Sequence, residues 1–561
     1  MKQRRFDAAW AALALVCLPV ASLAARRSPI ATNLAGVADW TTEYPFVNHF
    51  KMARPWFSAN ASHWEDTARP LLLDSSGHVK ALAPGQYARS VLFAGSPPDP
   101  GLSSKRFVVL FSGSGTLEYG NVQVVSRQPG KDTIQLKTVA AGQDTELIFI
   151  ITLTATNPAN PLRALRVLPA AGGICAGDPY KQVASAAACN SSTLYRSYAK
   201  AHAEILFMPQ FLAGLRPYRM VRFMDWQRTN NAEMQRASQR AFERHTFWTT
   251  DRGVPLETMI RLANTLGVDP WICIPHKADD QLVTTYAQIV KSLLAPRLRV
   301  HVEYSNEVWN GMFSQTQYAL EQGTALKLDS DRYTAMAKFY SRRSQQIFAI
   351  FKRELGGTRQ LRRVMATQAV VPYFTQQILS YGDARRSADL FAIAPYFGTT
   401  LTTAAQAAEV KRLGVAGVLA WLKSPAGAGG RPSNAVLGYG SLADVDAAVA
   451  AQVAAVRPFG INLTSYEGGQ HLVAAGGLTW DAQLNAILDA ANRHAGMKQV
   501  YLQYLSAWRA RTGQPLTHYV HCDRWSVWGR WGAKEYPSQP RAQAPKLDAL
   551  LQYASANPLE P

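Results

Sequence analysis

The sequence predicts an α/β fold, a (β/α)₈ barrel with a smaller β-sandwich-like unit inserted near its N-terminus. Three observations predict it. From about Pro209 onward, short apolar runs alternate with stretches of helical periodicity, the pattern of βα units around a parallel sheet. Before that, from about Trp64 to Leu168, β-prone runs are separated by Gly, Pro, Ser and Asp. With 561 residues and 47% apolar composition, the chain can hold one large domain and one small one.

The barrel strands expected in order are Tyr218–Phe223, Trp271–Pro275, Val300–Tyr304, Val364–Ala369, Leu390–Pro395, Ile461–Tyr466 and Thr517–Cys522. An eighth comes from Ile30–Val37, which makes the β-rich segment an insertion between the first and second barrel strands. The run Leu165-Arg166-Val167-Leu168 competes for the first place. Within the insertion the strand candidates are Phe107–Phe111, Val122–Val125, Thr133–Leu136 and Leu147–Ile151. Leu282, Tyr286, Ile289, Val290 and Leu293 share one helical face behind Asp279 or Asp280 as cap. Val500, Tyr501, Tyr504, Leu505 and Trp508 do the same, so that aromatic-rich stretch predicts a helix. The expected division is 1–25 leader, 26–60 first barrel strand and loop, 61–170 β-sandwich-like unit, and 171–561 barrel.

The leader carries Lys2, Arg4 and Arg5, then the apolar stretch Ala8–Val20, then Ala21-Ser22-Leu23-Ala24-Ala25, the order of a secretory signal peptide. Export to the periplasm or outside the cell is expected. Lipidation at Cys17 would need a small residue before it, where Val16 stands. No later segment has about 20 uninterrupted apolar residues, so no stable membrane insertion is expected. Cys175 and Cys189 bracket a Gly/Ala/Ser-rich loop and are expected to form a disulfide. Cys273, inside Trp271–Ile274, reads as a small core residue, and Cys522 can be similar. No pair has zinc-site spacing, and neither a metal nor a cofactor is implied.

The formal charge is +20, of which Lys2, Arg4 and Arg5 against Asp7 give the leader a net +2, leaving about +18. Such a field favours anionic partners: an acidic polysaccharide, the cell envelope or nucleic acid. Export and the lack of zinc-finger or RNA-recognition motifs argue against nucleic acid. A basic surface with no dedicated partner accounts for the charge equally well.

The sharpest motif is Val302-Glu303-Tyr304-Ser305-Asn306-Glu307-Val308-Trp309-Asn310, a β-run ending in an Asn-Glu pair followed by an aromatic. A second carboxylate stands in the same setting at Leu463-Thr464-Ser465-Tyr466-Glu467-Gly468-Gly469. Chemistry in a (β/α)₈ barrel sits at the C-terminal strand ends, so both glutamates are placed at its mouth. Two carboxyls facing one gap is the arrangement glycoside hydrolysis requires: one protonates the leaving oxygen, the other attacks the anomeric carbon or activates water. Taken alone, Glu307 is equally a residue of a helix's first turn, and Glu467 an ion-pair partner for Arg222.

By these motifs, residues 210 to 535 resemble clan A glycoside hydrolases, retaining barrel enzymes with the acid/base after strand four and the nucleophile after strand seven. The resemblance implies Glu307 as acid/base with Asn306 before it, and Glu467 as nucleophile supported by Arg222 from strand two. It also implies Tyr396 after strand six, and Trp525 or Trp528 as the sugar-stacking ring after strand eight. His276 after strand three reads as a subsite ligand or a loop residue. Asp225 is similar, and Trp226 is either core or a sugar platform. Trp309 is expected to line the cleft. A close carboxylate pair cannot readily hold two charges, so Arg222 beside Glu467 would keep that one ionised and leave the proton on Glu307.

The function these readings support is hydrolysis within a β-linked polysaccharide, with an acidic or envelope glycan favoured by charge. The competing classes are a non-catalytic carbohydrate-binding protein and an exopolysaccharide-assembly scaffold on the same barrel. The sequence does not name the sugar or the oligomeric state.

Overall fold

The computed structural model describes residues 28–559 apart from 98–101, 103–104, 142–143, 426 and 428–430, with Leu102 and Gly427 described. The leader expected at 1–25 lies outside the described residues. Eight parallel strands form one sheet: β1 (Ile30–Asn33), β2 (Met220–Arg222), β3 (Asp269–Ile274), β4 (Val300–Tyr304), β5 (Leu361–Ala366), β6 (Leu390–Ile393), β7 (Asn462–Ser465) and β8 (Leu516–His518). The ladder runs from β7 through β6, β5, β4, β3, β2 and β1 to β8. It closes between β7 and β8 through Thr517 N donating to Ser465 Oγ (2.8 Å) and Thr517 Oγ1 to Ser465 O (2.7 Å), with a main-chain bond from Tyr519 N to Gly468 O (2.9 Å) just beyond.

Ile30–Asn33 is thus the first strand. The competing run Leu165–Leu168 belongs elsewhere, in the antiparallel strand Arg163–Pro169 paired with Arg106–Ser112. Most barrel strands are shorter than their apolar runs because the runs continue into loops at the mouth, as Tyr519 to Cys522 do after β8. Ala31, Met220, Trp271, Val364, Ala366, Ala392 and Tyr466 point into the bore and pack there, so the barrel is filled, not open.

Between β1 and β2 the chain builds two antiparallel sheets. One holds Phe57–Ala59, Tyr87–Ser96, Gly115–Gly120, Thr138–Ala141 and Asp144–Thr156; the other holds Arg106–Ser112, Val122–Gln128, Lys131–Leu136 and Arg163–Pro169. Tyr119 of the first donates to Asp132 of the second (2.7 Å). Buried Phe107, Val109, Ile134, Leu136, Phe149 and Ile151 supply the apolar filling. A third small sheet, Gly173–Cys175, Asp178–Val183 and Tyr195–Ser197, follows, and the Cys175–Cys189 disulfide ties its loop. Phe46, Phe50, Trp56, Trp226, Phe247 and Trp248 make edge and tilted ring contacts where this region meets the barrel.

The helices obey their local signals. Asp279 caps Asp280–Leu293 by accepting from Leu282 N (2.7 Å), which satisfies an otherwise orphaned amide. Gly356, at φ 70°, ends Arg332–Leu355 in the left-handed conformation that a side chain would oppose. Gly496–Thr512 is helical despite its aromatics, burying Val500, Tyr501, Tyr504, Leu505 and Trp508. No helix among the described residues is long and apolar enough to cross a membrane.

Candidate active site

The site grows from one buried guanidinium. Arg222 ends β2 with no solvent exposure, between the rings of Trp271 and Tyr466 at 5.5 and 5.1 Å from their centroids. Its Nη1 donates to Glu467 Oε1 (2.8 Å) and Asn33 Oδ1 (3.2 Å). Its Nη2 donates to Glu303 Oε2 and Asn306 Oδ1 (2.8 Å each), and Nε also reaches Glu303 Oε2 (3.1 Å). A cation removed from water needs such compensation, and here four residues on or just after β1, β4 and β7 provide it.

Glu303, part of the strand-four motif and next in line as the acid should Glu307 be structural, is Arg222's second counter-ion and also takes the Trp271 Nε1–H (2.9 Å). Its signal was available in β4, where alternate residues face inward: an acid at an inward position requires a buried cation. Asn306 fixes the next turn by donating to Asn230 Oδ1 (2.9 Å). Beyond β4, Ser305 and Glu307 adopt φ of 58° and 42°. Left-handed backbone at a non-glycine residue costs about 1–3 kcal/mol, and two such residues turn Glu307 back over the mouth.

The two glutamates have different partners. Glu307 Oε1 accepts from Tyr466 Oη (3.0 Å) and Oε2 from Asn310 Nδ2 (2.8 Å). Glu467 Oε1 accepts from Arg222, and Oε2 from Tyr396 Oη (2.9 Å). Burial pushes both carboxyls above the usual carboxylate range; charge repulsion from Glu307 raises Glu467 further, and repulsion from Glu303 raises Glu307. Direct contact with Arg222 opposes this at Glu467; at Glu307 the first opposing influences are the neutral donors Asn310 and Tyr466. Asp225, beside them, accepts from Tyr519 Oη (3.0 Å) and is raised by burial.

The aromatic wall differs from expectation. Trp226 is 1% exposed and packs against Phe46, Phe211 and Phe223, so it is core and not a sugar platform. Trp525 is also covered: its Nε1 donates to Gly532 O, and Arg493 and Lys546 lie over its ring. Trp528 stands in solvent, edge-on to exposed Trp480 at 5.8 Å. Of the tryptophans after β8, the one packed toward Tyr396 is Trp531, which sequence reasoning missed. It lies against His471 (5.9 Å) and Tyr519 (5.9 Å), both of which contact Tyr396. Trp309 is half-buried against the core, with its indole beside the Tyr466 hydroxyl that donates to Glu307. His276 is buried edge-on to Tyr318, neither ring nitrogen has a hydrogen-bond partner among the described residues, and burial lowers its pKa to about 4.

No protein-family model matches the chain, and no curated protein matches its sequence. Several solved structures share part of its course. A 4-O-α-L-rhamnosyl-β-D-glucuronidase from Fusarium oxysporum 12S aligns at 13% identity over 60% of this chain and 62% of that one, TM-score 0.35. A Bacteroidetes-affiliated GH5 cellulase aligns at 13% identity over 62% of this chain and 91% of that one, TM-score 0.34. A β-glucosidase from Thermotoga maritima aligns at 12% identity over 63% and 85%, TM-score 0.33. The chain thus spans about 62% of the length of the Fusarium enzyme. Likenesses of this size carry no functional weight; the barrel rests on its own strand ladder, with one glutamate after the fourth strand and one after the seventh, as in clan A glycoside hydrolases.

Proposed function

We propose that the chain is an exported retaining glycoside hydrolase that cleaves within a β-linked polysaccharide. The observation that carries this reading is the unequal pair: two glutamates at one barrel mouth, Glu467 buried and held by a guanidinium, Glu307 half-buried and held by neutral donors. With one charge between them, Arg222 favours it on Glu467, and Glu307 keeps the proton. Glu307 then protonates the leaving oxygen while Glu467 attacks the anomeric carbon, forming a glycosyl ester. In the second step Glu307 takes a proton from water, which displaces Glu467 and regenerates both groups. Tyr396 and Arg222 orient Glu467, and Trp531 with Tyr519 forms an aromatic flank for a sugar ring. The Cys175–Cys189 disulfide suits an oxidising compartment.

The test depends on the leaving group. Glu307→Ala is expected to cripple hydrolysis of a natural glycan by at least about 100-fold, but to slow glycosylation by an aryl glycoside with an acidic phenol far less. Azide should restore turnover and give a glycosyl azide of the substrate's anomeric configuration. Equal slowing on both substrates with no azide rescue would assign Glu307 a structural role.

A further inference from the structure

The opposite end of the barrel holds a cavity of about 510 Å³ among the N-terminal strand ends. We propose that it binds a compact phosphate-class anion. Arg219, Arg299, Arg362 and Arg385 line it, each from the approach to a different strand or from that strand's first turn, with Trp271 and His301 also in its lining. Two acids share the lining, but both are engaged. Asp389 is held by Arg363, which makes paired bonds to Oδ1 (2.7 Å) and Oδ2 (3.0 Å), and Asp269 Oδ1 accepts from the Arg299 amide (2.8 Å).

Among the described residues, Arg299, Arg362 and Arg385 make no ion pair. Burial and neighbouring Arg299 pull the Arg362 guanidinium below its ordinary value, against the opposing attraction of Asp389 and Asp269. His301 adds a second sign of an incomplete site. It stacks on Trp271 (5.5 Å, 20°), burial keeps it neutral with a pKa of about 3, and its buried Nδ1 has no hydrogen-bond partner. The underside of such a barrel ordinarily serves stability. Like charges gathered around open volume oppose stability, and a bound anion would reverse the sign. Guanidiniums suit phosphate because their planar forks donate paired bonds to tetrahedral oxygens. The volume exceeds one phosphate ion, so pyrophosphate is the better probe.

Titration calorimetry of the full chain with pyrophosphate, at constant ionic strength set by sodium chloride, tests the proposal. The expected Kd is below about 1 mM. Arg299→Gln and Arg385→Gln, both at exposed side chains, should each weaken binding about tenfold with an unchanged circular dichroism spectrum. Glu467→Gln, at the far end, should bind as the parent does. A parent that shows no heat beyond the chloride control, or arginine variants that bind as tightly as the parent, overturns the assignment. So does loss of binding in Glu467→Gln.

Discussion

The two ends of the barrel use the same side chains to opposite effect. At the mouth one guanidinium is saturated by Glu303, Glu467, Asn33 and Asn306, and no water reaches it. At the underside four guanidiniums line open volume, where Asp389 is held by Arg363 and Asp269 takes the Arg299 amide. The difference shows that charge count says little about an arginine's contribution. Partners and burial decide whether its removal uncovers buried acids or relieves repulsion.

The comparison breaks first at Arg222. Arg222→Leu leaves Glu303 and Glu467 buried without a cation, and should cost about 3–5 kcal/mol in urea unfolding. A loss below about 1 kcal/mol would mean that the mouth is far wetter than its geometry implies.

A smaller effect is expected from pH. The mouth carboxyls have folded-state pKa values above their unfolded ones. Their contribution is therefore fully present below the ordinary carboxylate range and is lost as pH rises through the folded values. Thermal melts of the parent should show Tm falling from mildly acidic to alkaline pH, and Glu467→Gln should flatten that slope. An unchanged slope would locate the buried charge elsewhere.

The smallest effect is at the other end. Arg299→Gln, measured without anion, should change stability by no more than about 0.5 kcal/mol, and in the stabilising direction, because it removes repulsion from Arg362. A clear destabilisation would show that Arg299 is already paired.

The mouth was legible because its signal is local. The Asn306-Glu307 pair and Glu467-Gly468-Gly469 each follow an apolar run, so strand-end chemistry could be inferred from short windows. Tyr396 and Arg222 could be placed by counting strands. The aromatic wall was not legible in this way. Trp525, Trp528 and Trp531 lie within seven residues in one irregular loop, where no period tells which ring turns inward. Trp226 stays open between core and platform in the sequence because it follows β2 but packs against Phe46 and Phe211, which strand counting does not register. The underside was silent because its arginines come one per segment, at 219, 299, 362 and 385, and only closure of the barrel gathers them.

The join between β7 and β8 is fastened differently from the rest of the ring. Elsewhere each strand is laddered to its neighbour by main-chain pairs, but here the Ser465 and Thr517 hydroxyls supply two of the bonds, and the main-chain bond from Tyr519 N to Gly468 O (2.9 Å) lies just beyond them. Glu467 stands at this seam, two residues past Ser465, whereas Glu307 rises from β4, which is laddered to β3 and β5. Removing the Ser465 hydroxyl would therefore loosen the mooring of one carboxyl and leave the ladder beneath the other intact.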